Sequence, residues 1–313
     1  MAKYSHLSYF LSSLHTTSMP FIKVVAMARM GRPFIIVAGL IAFFTGAGMA
    51  YWELGEVLWG EALIGLVIMV SAILMAHYAN EYADFETDRL TRRTAFSGGS
   101  GVLPSEIVPR VWALYAAVAF LLLTLLLTIV TFLICELSTS VVILVFLGVP
   151  LGWLYSMPPL ALERTPWGEV DNAFLGGFLM PLMGYSPQTG YVSTISILVC
   201  VPLFLAVLVN LLGVHWQDRK ADCEVGKRTM VVSLGDRTLA AFEILTLMMF
   251  ISILMLSFII PLAVVIITLF SLPFGVWAIL GFRKNGGPEY GSILMGSVMI
   301  LMGIGWIFQG LMT

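Results

Sequence analysis

Residues 60–88 read GEALIGLVIMVSAILMAHYANEYADFETD, and this passage decides the fold. Its first two thirds are one bilayer crossing, for which a helix needs roughly 17–25 largely apolar residues. Its last third is crowded with polar groups: Asn80, Glu81, Asp84, Glu86 and Asp88 follow one another within nine positions. A run of this kind is a membrane-spanning helix that delivers oxygen donors to one membrane surface.

The rest of the chain repeats the apolar part. Of 313 residues, 59% are hydrophobic and 11% charged, with a mean hydropathy of +0.98, whereas a soluble domain carries about 25% charged residues. There is not enough polar surface to coat a globule, so an all-α polytopic bundle is expected. The formal net charge of −2 excludes the basic footprint of a nucleic-acid binder. Cys135, Cys200 and Cys223 are widely separated and support neither a zinc site nor a disulfide framework. Residues 1–30 lack a short apolar run followed by a small-residue cleavage site, so no removable signal peptide is expected and the first span does the targeting.

Nine spans are expected, near residues 34–52, 60–80, 111–133, 138–157, 168–186, 191–216, 239–259, 262–282 and 291–312. The fifth is the hardest to see, since Glu169 and Asp171 stand at its start and Pro181 lies inside it. The basic residues decide it, because cytoplasmic loops hold the excess of Lys and Arg and each span added or lost flips every later loop. With nine spans and a cytoplasmic N-terminus, all 16 basic residues fall on one side. Without the fifth, the group around Arg219 moves opposite the group around Arg89. The chain is therefore read as one domain, 1–313, in the cell membrane. It has a cytoplasmic segment 1–30, site loops at 81–110 and 217–238 on the cytoplasmic side, and its C-terminus outside. Pro150, Pro202, Pro261 and Pro273 read as helix kinks.

A second corner resembles the first. His215-Trp216-Gln217-Asp218-Arg219-Lys220-Ala221-Asp222 overlays His77 to Asp84 as His, aromatic, any residue, Asn or Asp, three residues, Asp. On a helix, Asn80, Asp84 and Asp88 share one face at about 6 Å per step, as do Asp218 and Asp222. Two such faces of hard oxygen donors suit Mg²⁺, which is held by a few carboxylates together with substrate phosphates. The negative ends of the two helix dipoles favour a cation at the same place, and a Mg²⁺-bridged diphosphate is the ligand this predicts. The plainer alternative is that these acids only neutralise neighbouring Arg and Lys. His77 and His215 read as hydrogen-bonded helix residues, imidazole being a poor Mg²⁺ ligand.

In span count and motif placement the chain resembles the UbiA superfamily of intramembrane aromatic prenyltransferases, with N-x-x-x-D-x-x-x-D and D-x-x-x-D runs at the inner ends of helices two and six. The continuation of the second run through Gly226-Lys227-x-Thr229-x-Val231-Val232-x-Leu234-Gly235 looks like the branch that includes 1,4-dihydroxy-2-naphthoate polyprenyltransferase. So do Gly98-Gly99-Ser100-Gly101-Val102-Leu103 and Gly168-Glu169. Arg92-Arg93-Thr94 is instead closer to the hydroxybenzoate and haem branches, and Tyr155-Ser156-Met157-Pro158-Pro159 is common across the superfamily.

The resemblance implies Mg²⁺-dependent transfer of a polyprenyl group from its diphosphate to an aromatic acceptor, with dihydroxynaphthoate on the route to menaquinone as the leading expectation. It implies that Asn80, Asp84, Asp88, Asp218 and Asp222 hold about two Mg²⁺. Asp88 is the outlying ligand, about 12 Å along the axis from Asn80. Asp84, Asp218, Asp222 and Tyr155 are the expected catalytic residues, Tyr155 and Trp153 offering ring faces to a carbocation or serving as interfacial belt residues. Lys220, Lys227, Arg228, Arg32 and Arg92 are candidates for diphosphate or an acceptor carboxylate, or else headgroup anchors. Gly98, Gly99 and Gly101 suit a loop folding over the pocket to exclude water, or a plain connector. Glu169 either meets the acceptor or caps a helix.

Other acceptors within the superfamily stay open: hydroxybenzoate, homogentisate or a lipid precursor. A secondary transporter is disfavoured because the acids cluster at the inner ends rather than at mid-membrane. A phosphotransferase acting on activated alcohols is disfavoured because no Asp-Gly pair occurs in the chain.

Overall fold

A computed structural model of the chain describes residues 21–90 and 99–313. Arg92 and Gly98, both singled out above, lie outside the described residues. In the bilayer every backbone N–H and C=O must be satisfied within the chain, which leaves helices as the solution for long apolar runs. Among the described residues there are accordingly helices and turns and no strand.

The long helices are α1 (Pro33–Leu54), α2 (Trp59–Ala83), α3 (Arg110–Ile134), α4 (Thr139–Ser156), α6 (Thr194–Glu224), α7 (Thr238–Leu256), α8 (Leu262–Asn285) and α9 (Glu289–Met312). Eight segments of the described chain, one of them containing α7, are long and apolar enough to cross a membrane. The remaining expected span, α5, is present but built in three pieces: Trp167–Phe174, a π-turn Leu175–Leu179, and Met180–Thr189. It does cross the bundle. Near its start Glu169 meets His215 of α6, and at its end Ser140 at the start of α4 donates to Gly190 O at 3.2 Å. The interruption falls at Gly176-Gly177, just before Pro181, and explains why unbroken hydropathy misses this helix.

Glycine ends α1, α5 and α8: Gly55, Gly190 and Gly286 take φ of 73, 80 and 64° and return their N–H to the preceding turn, the left-handed cap that most favours this residue. Pro150 and Pro202 lie inside α4 and α6 as expected. Pro261 instead precedes α8, and Pro273 follows the break in α8 between Leu269 and Leu272.

Helix α6 is the axis of the bundle, with 67% of its apolar window buried against 17% for the peripheral α3. One core joins α6 to α1, α7, α8 and α9 around Leu203, Phe242, Met249 and Trp306. A second joins α1, α2, α4 and α5 around Phe43, Ile68 and Leu179. A small third core caps one end: Ala26 and Met30 from a helical stretch at residues 21–30 pack with Tyr78, Val102 and Leu103. That cap lies over the end of the bundle that carries both acidic corners.

Candidate active site

The two corners meet through a lysine. Helix α2 ends at Ala83, leaving Asp84 as its cap, and the backbone bonds Asp84 N to Asn80 O and Asp88 N to Asp84 O, both 2.8 Å, carry the helical spacing into a short helix, Phe85–Leu90. Asn80, Asp84 and Asp88 therefore keep their i, i+4 register across a one-residue break. Helix α6 runs about two turns beyond the expected 216, to Glu224, so Asp218 and Asp222 are both helical. After it the chain turns at Gly226, with φ of 74°, and Lys227 N bonds back to Asp222 O at 2.8 Å. This turn sends the Lys227 ammonium across to Asp84 Oδ1, with Glu163 Oε1 3.5 Å away.

Asn80 donates from Nδ2 to Glu163 Oε2 at 2.7 Å, to Asp84 Oδ2 at 2.8 Å and to Ser156 Oγ at 3.1 Å, and Ser156 donates to the same Glu163 oxygen at 2.8 Å. One amide thus binds α2, α4 and the α4–α5 loop into a single polar cluster. The Lys227 and Asp84 side chains are only 6 and 16% exposed. Burial alone would raise the Asp84 pKa, but the Lys227 ammonium outweighs it and holds the carboxyl below its ordinary range. Burial likewise works to lower Lys227, and Asp84 and Glu163, with a smaller share from Asp222, hold it above. Glu163, buried and facing Asp84, is pushed up to about 8. Asp88 is pushed up to about 7, first by burial and then by Asp84. In both, the neighbouring Asp84 adds to burial in favouring the neutral form.

Of the residues singled out from sequence, Asn80, Asp84, Asp222 and Lys227 come together here, and Asp218 lies one helical turn before Asp222. Asp88 stands one turn beyond Asp84, pressed by the loop that follows. Tyr155, at the inner end of α4, lies near the Asn172 side chain and the carboxyl groups of Glu163, Glu169 and Asp84. Arg32 sits at the same end, bound to Glu81 through Nε at 2.9 Å and Nη2 at 2.8 Å. Lys220 and Arg228 are exposed, and Arg228 is tied by its backbone N–H to Arg164 O at 2.9 Å; neither is drawn into the cluster. His77 donates from Nδ1 to Gly31 O at 2.8 Å, and His215 pairs with Glu169 at 2.9 Å. Glu169 also accepts Met230 N at 3.0 Å. It therefore caps the short helix Met230–Leu234 and so braces the turn that carries Lys227.

Glu163 belongs to this site without any sign in the sequence, and Ser156 and Glu81 belong to it though the sequence marks them only as parts of longer motifs. A lone acid in a short inner loop, a serine beside a shared proline motif and a glutamate inside a motif that already has three donors carry no spacing signal.

An apolar groove leads to the cluster between α2, α4 and α5, lined among others by Ile73, Ala76, Val149, Gly152, Leu175 and Leu179. Its inner end is Ala76 and Gly152, each one helical turn from a cluster residue, Asn80 and Ser156. The apolar groove therefore stops about one helical turn short of the polar cluster.

The donors at the head are amide and carboxylate oxygens, hard ligands that fit Mg²⁺. Among the described residues no three His, Cys, Asp or Glu side chains converge as a ready-made cage. Instead the Lys227 ammonium, itself a cation, bridges Asp84 and Glu163. Asn80, Asp84, Asp88, Asp218 and Asp222 are the side chains that could hold such an ion.

A helical bundle of this layout, with two acid-bearing helix ends gathered beside an apolar groove, defines a class of membrane protein that handles amphiphilic anions. The model of the UbiA prenyltransferase family matches residues 40–289, and the chain belongs to that family. It is 25% identical over 217 residues to 1,4-dihydroxy-2-naphthoate octaprenyltransferase of Bacillus subtilis, the match covering 67% of this chain and 66% of that protein. It is 28% identical over 158 residues to the bacteriochlorophyll synthase 33 kDa chain of Rhodobacter capsulatus, covering 48% of this chain and 47% of that protein. The match thus spans about two thirds of the first relative and half of the second. The fold is that of a UbiA homolog from Archaeoglobus fulgidus solved with GPP and Mg²⁺: TM-score 0.71, 16% identity, 90% of this chain and 99% of that one.

Proposed function

We propose that this protein transfers a polyprenyl group from a polyprenyl diphosphate to an aromatic acceptor, and that the acceptor is 1,4-dihydroxy-2-naphthoate, on the route to menaquinone. The observation that carries this reading is the contact of Lys227 with Asp84, which gathers both acidic corners at the inner end of one apolar groove. Family membership supports the reaction, and similarity to 1,4-dihydroxy-2-naphthoate octaprenyltransferase of Bacillus subtilis supports the acceptor.

In this reading the polyprenyl tail lies in the groove between α2, α4 and α5, with its diphosphate at the cluster. Lys227 exchanges its carboxylate partners for phosphate oxygens, and Arg32 adds a second charge-assisted donor. When bound at Asn80, Asp84, Asp218 and Asp222, Mg²⁺ supplies Lewis-acid neutralisation of the leaving diphosphate. The allylic C–O bond breaks with its electron pair going to diphosphate. The ring carbon that bears the carboxylate attacks the allylic cation, and carbon dioxide then leaves, its bonding pair restoring the ring. Tyr155 presents its ring to the cation. The site faces the cytoplasm, because that end collects the basic loops.

Membranes containing the protein, given geranylgeranyl diphosphate, Mg²⁺ and a panel of acceptors, test the proposal. Prenylated, decarboxylated naphthol is the expected product. Inert naphthoate beside a reactive hydroxybenzoate or homogentisate overturns the acceptor, and no prenylated product from any acceptor overturns prenyl transfer.

A further inference from the structure

Glu81 lies beside the motif acids, yet it points to a different set of partners. Its carboxylate is 1% exposed and takes four donors. Arg32 gives Nε at 2.9 Å and Nη2 at 2.8 Å, and Ser100 gives its backbone N–H at 2.8 Å and its hydroxyl at 2.5 Å. Those donors come from two segments far apart in sequence: the turn before α1, and the loop that returns to α3. Arg29 Nη2 adds a bond to Ser100 O at 3.4 Å, and Ser100 Oγ accepts Val102 N at 3.1 Å. Val102 and Leu103 are 1 and 2% exposed in the small capping core. The same loop presses on the acidic corner: Gly99 takes φ of 63°, and a Cβ there would lie 1.9 Å from Asp88 Oδ2.

We infer that Glu81 is a positioning residue: it locks the loop at Gly99–Leu103 over the acidic corner and aims Arg32 at the same corner, so that it governs how well the site excludes water. This rests on the prenyl-transfer reading above. A carboxylate is suited to the task because it has acceptor capacity for all four donors. Arg32 Nε and Nη2 and Ser100 N all meet Oε1, and the Ser100 hydroxyl meets Oε2; a glutamine offers those three donors only a neutral oxygen and turns its NH2 toward Ser100 Oγ, so the charge that holds Arg32 is lost and the serine bond must reverse. With the loop loosened, water reaches the allylic centre: its oxygen forms the new C–O bond, diphosphate leaves with the electron pair of the old one, and a proton is released. The products are free prenol and diphosphate instead of prenylated acceptor. The second consequence is weaker retention of the diphosphate head by a misaimed Arg32.

The test measures prenol and prenylated naphthol together, for purified wild type, Glu81→Gln and Ser100→Ala in lipid nanodiscs with geranylgeranyl diphosphate, Mg²⁺ and 1,4-dihydroxy-2-naphthoate. For Glu81→Gln the ratio of prenol to transfer product is expected to rise by about tenfold or more, with a raised KM for the diphosphate. Ser100→Ala, which spares the Arg32 pair, is expected to raise the ratio less and to leave that KM near wild type. If both products fall in step with the folded fraction and their ratio stays constant, Glu81 is only a buried structural ion and the inference is overturned. Should Glu81→Gln fail to fold, an unchanged ratio in Ser100→Ala overturns it equally. A wild type that transfers to no acceptor, by contrast, defeats the prenyl-transfer reading itself.

Discussion

Lys227 is the residue on which the site turns, because it joins two motifs that are separate in the chain. Its ammonium spans Asp84 and Glu163, so the three side chains form one coupled unit. The structure seats Asp84 in a buried ion pair, and its removal therefore carries a folding cost as well. Asp84→Asn is expected to lower turnover by at least about 100-fold and detergent stability by about 1–3 kcal/mol, read from product formation and thermal unfolding of one preparation. Near wild-type turnover would exclude Asp84 from the chemistry. Lys227→Met leaves Asp84 and Glu163 as two buried carboxyl groups with no cation between them, so a second change, Glu163→Gln, is expected to restore part of the lost stability. A double-mutant cycle should give a coupling of about 0.5–3 kcal/mol, and strictly additive losses would show that the two side chains act independently.

At the scale of elements, the crossing of α1 and α5 sets the separation of the two main cores. A Cβ on Gly46 would fall 1.8 Å from Pro181 O, and one on Gly184 would fall 1.9 Å from Phe43 O. Backbone meets backbone here, the close approach that small residues permit between membrane helices. No rotamer change can relieve a methyl group inserted at either point. Gly184→Ala is expected to cost about 1–3 kcal/mol. At Gly60, in the first turn of α2, the space for a Cβ is open, and Gly60→Ala is expected to be neutral or to stabilise by up to about 1 kcal/mol. Equal melting temperatures for the two variants would contradict the packing at this crossing. The π-turn in α5 belongs to the same crossing, for it lets a helix containing Gly176-Gly177 and Pro181 complete its passage between α1 and α6.

For the whole molecule, the eight membrane-length helices and the broken α5 of the described residues bring both acidic corners to one end. A separate polar clasp marks the other end, where Tyr185 donates to Glu53 Oε2 at 2.6 Å and Tyr191 donates to the second oxygen. Two native cysteines report on this polarity: Cys135 after α3 and Cys223 near the end of α6 are exposed at opposite ends, while Cys200 is buried. A membrane-impermeant maleimide applied to intact cells is expected to label Cys135 and to spare Cys223 until the membrane is permeabilised. Labelling of Cys223 from outside would reverse the assigned orientation.

The helical class, the number of crossings and the identity of the two acidic corners were legible in the chain alone. Hydrocarbon length, the side preference of Lys and Arg, and i, i+4 spacing are local properties, and the 16 basic residues recovered even the broken α5 that hydropathy misses. Tertiary structure alone decided which polar groups face one another. Glu163 reaches Asn80 and Asp84 only because the α4–α5 loop folds beneath α2, and Glu81 finds Arg32 and Ser100 only because the two flanking segments close over one helix end. Hydrogen bonds and ion pairs act over a few ångströms of space, and separation along the chain does not encode which groups share that space.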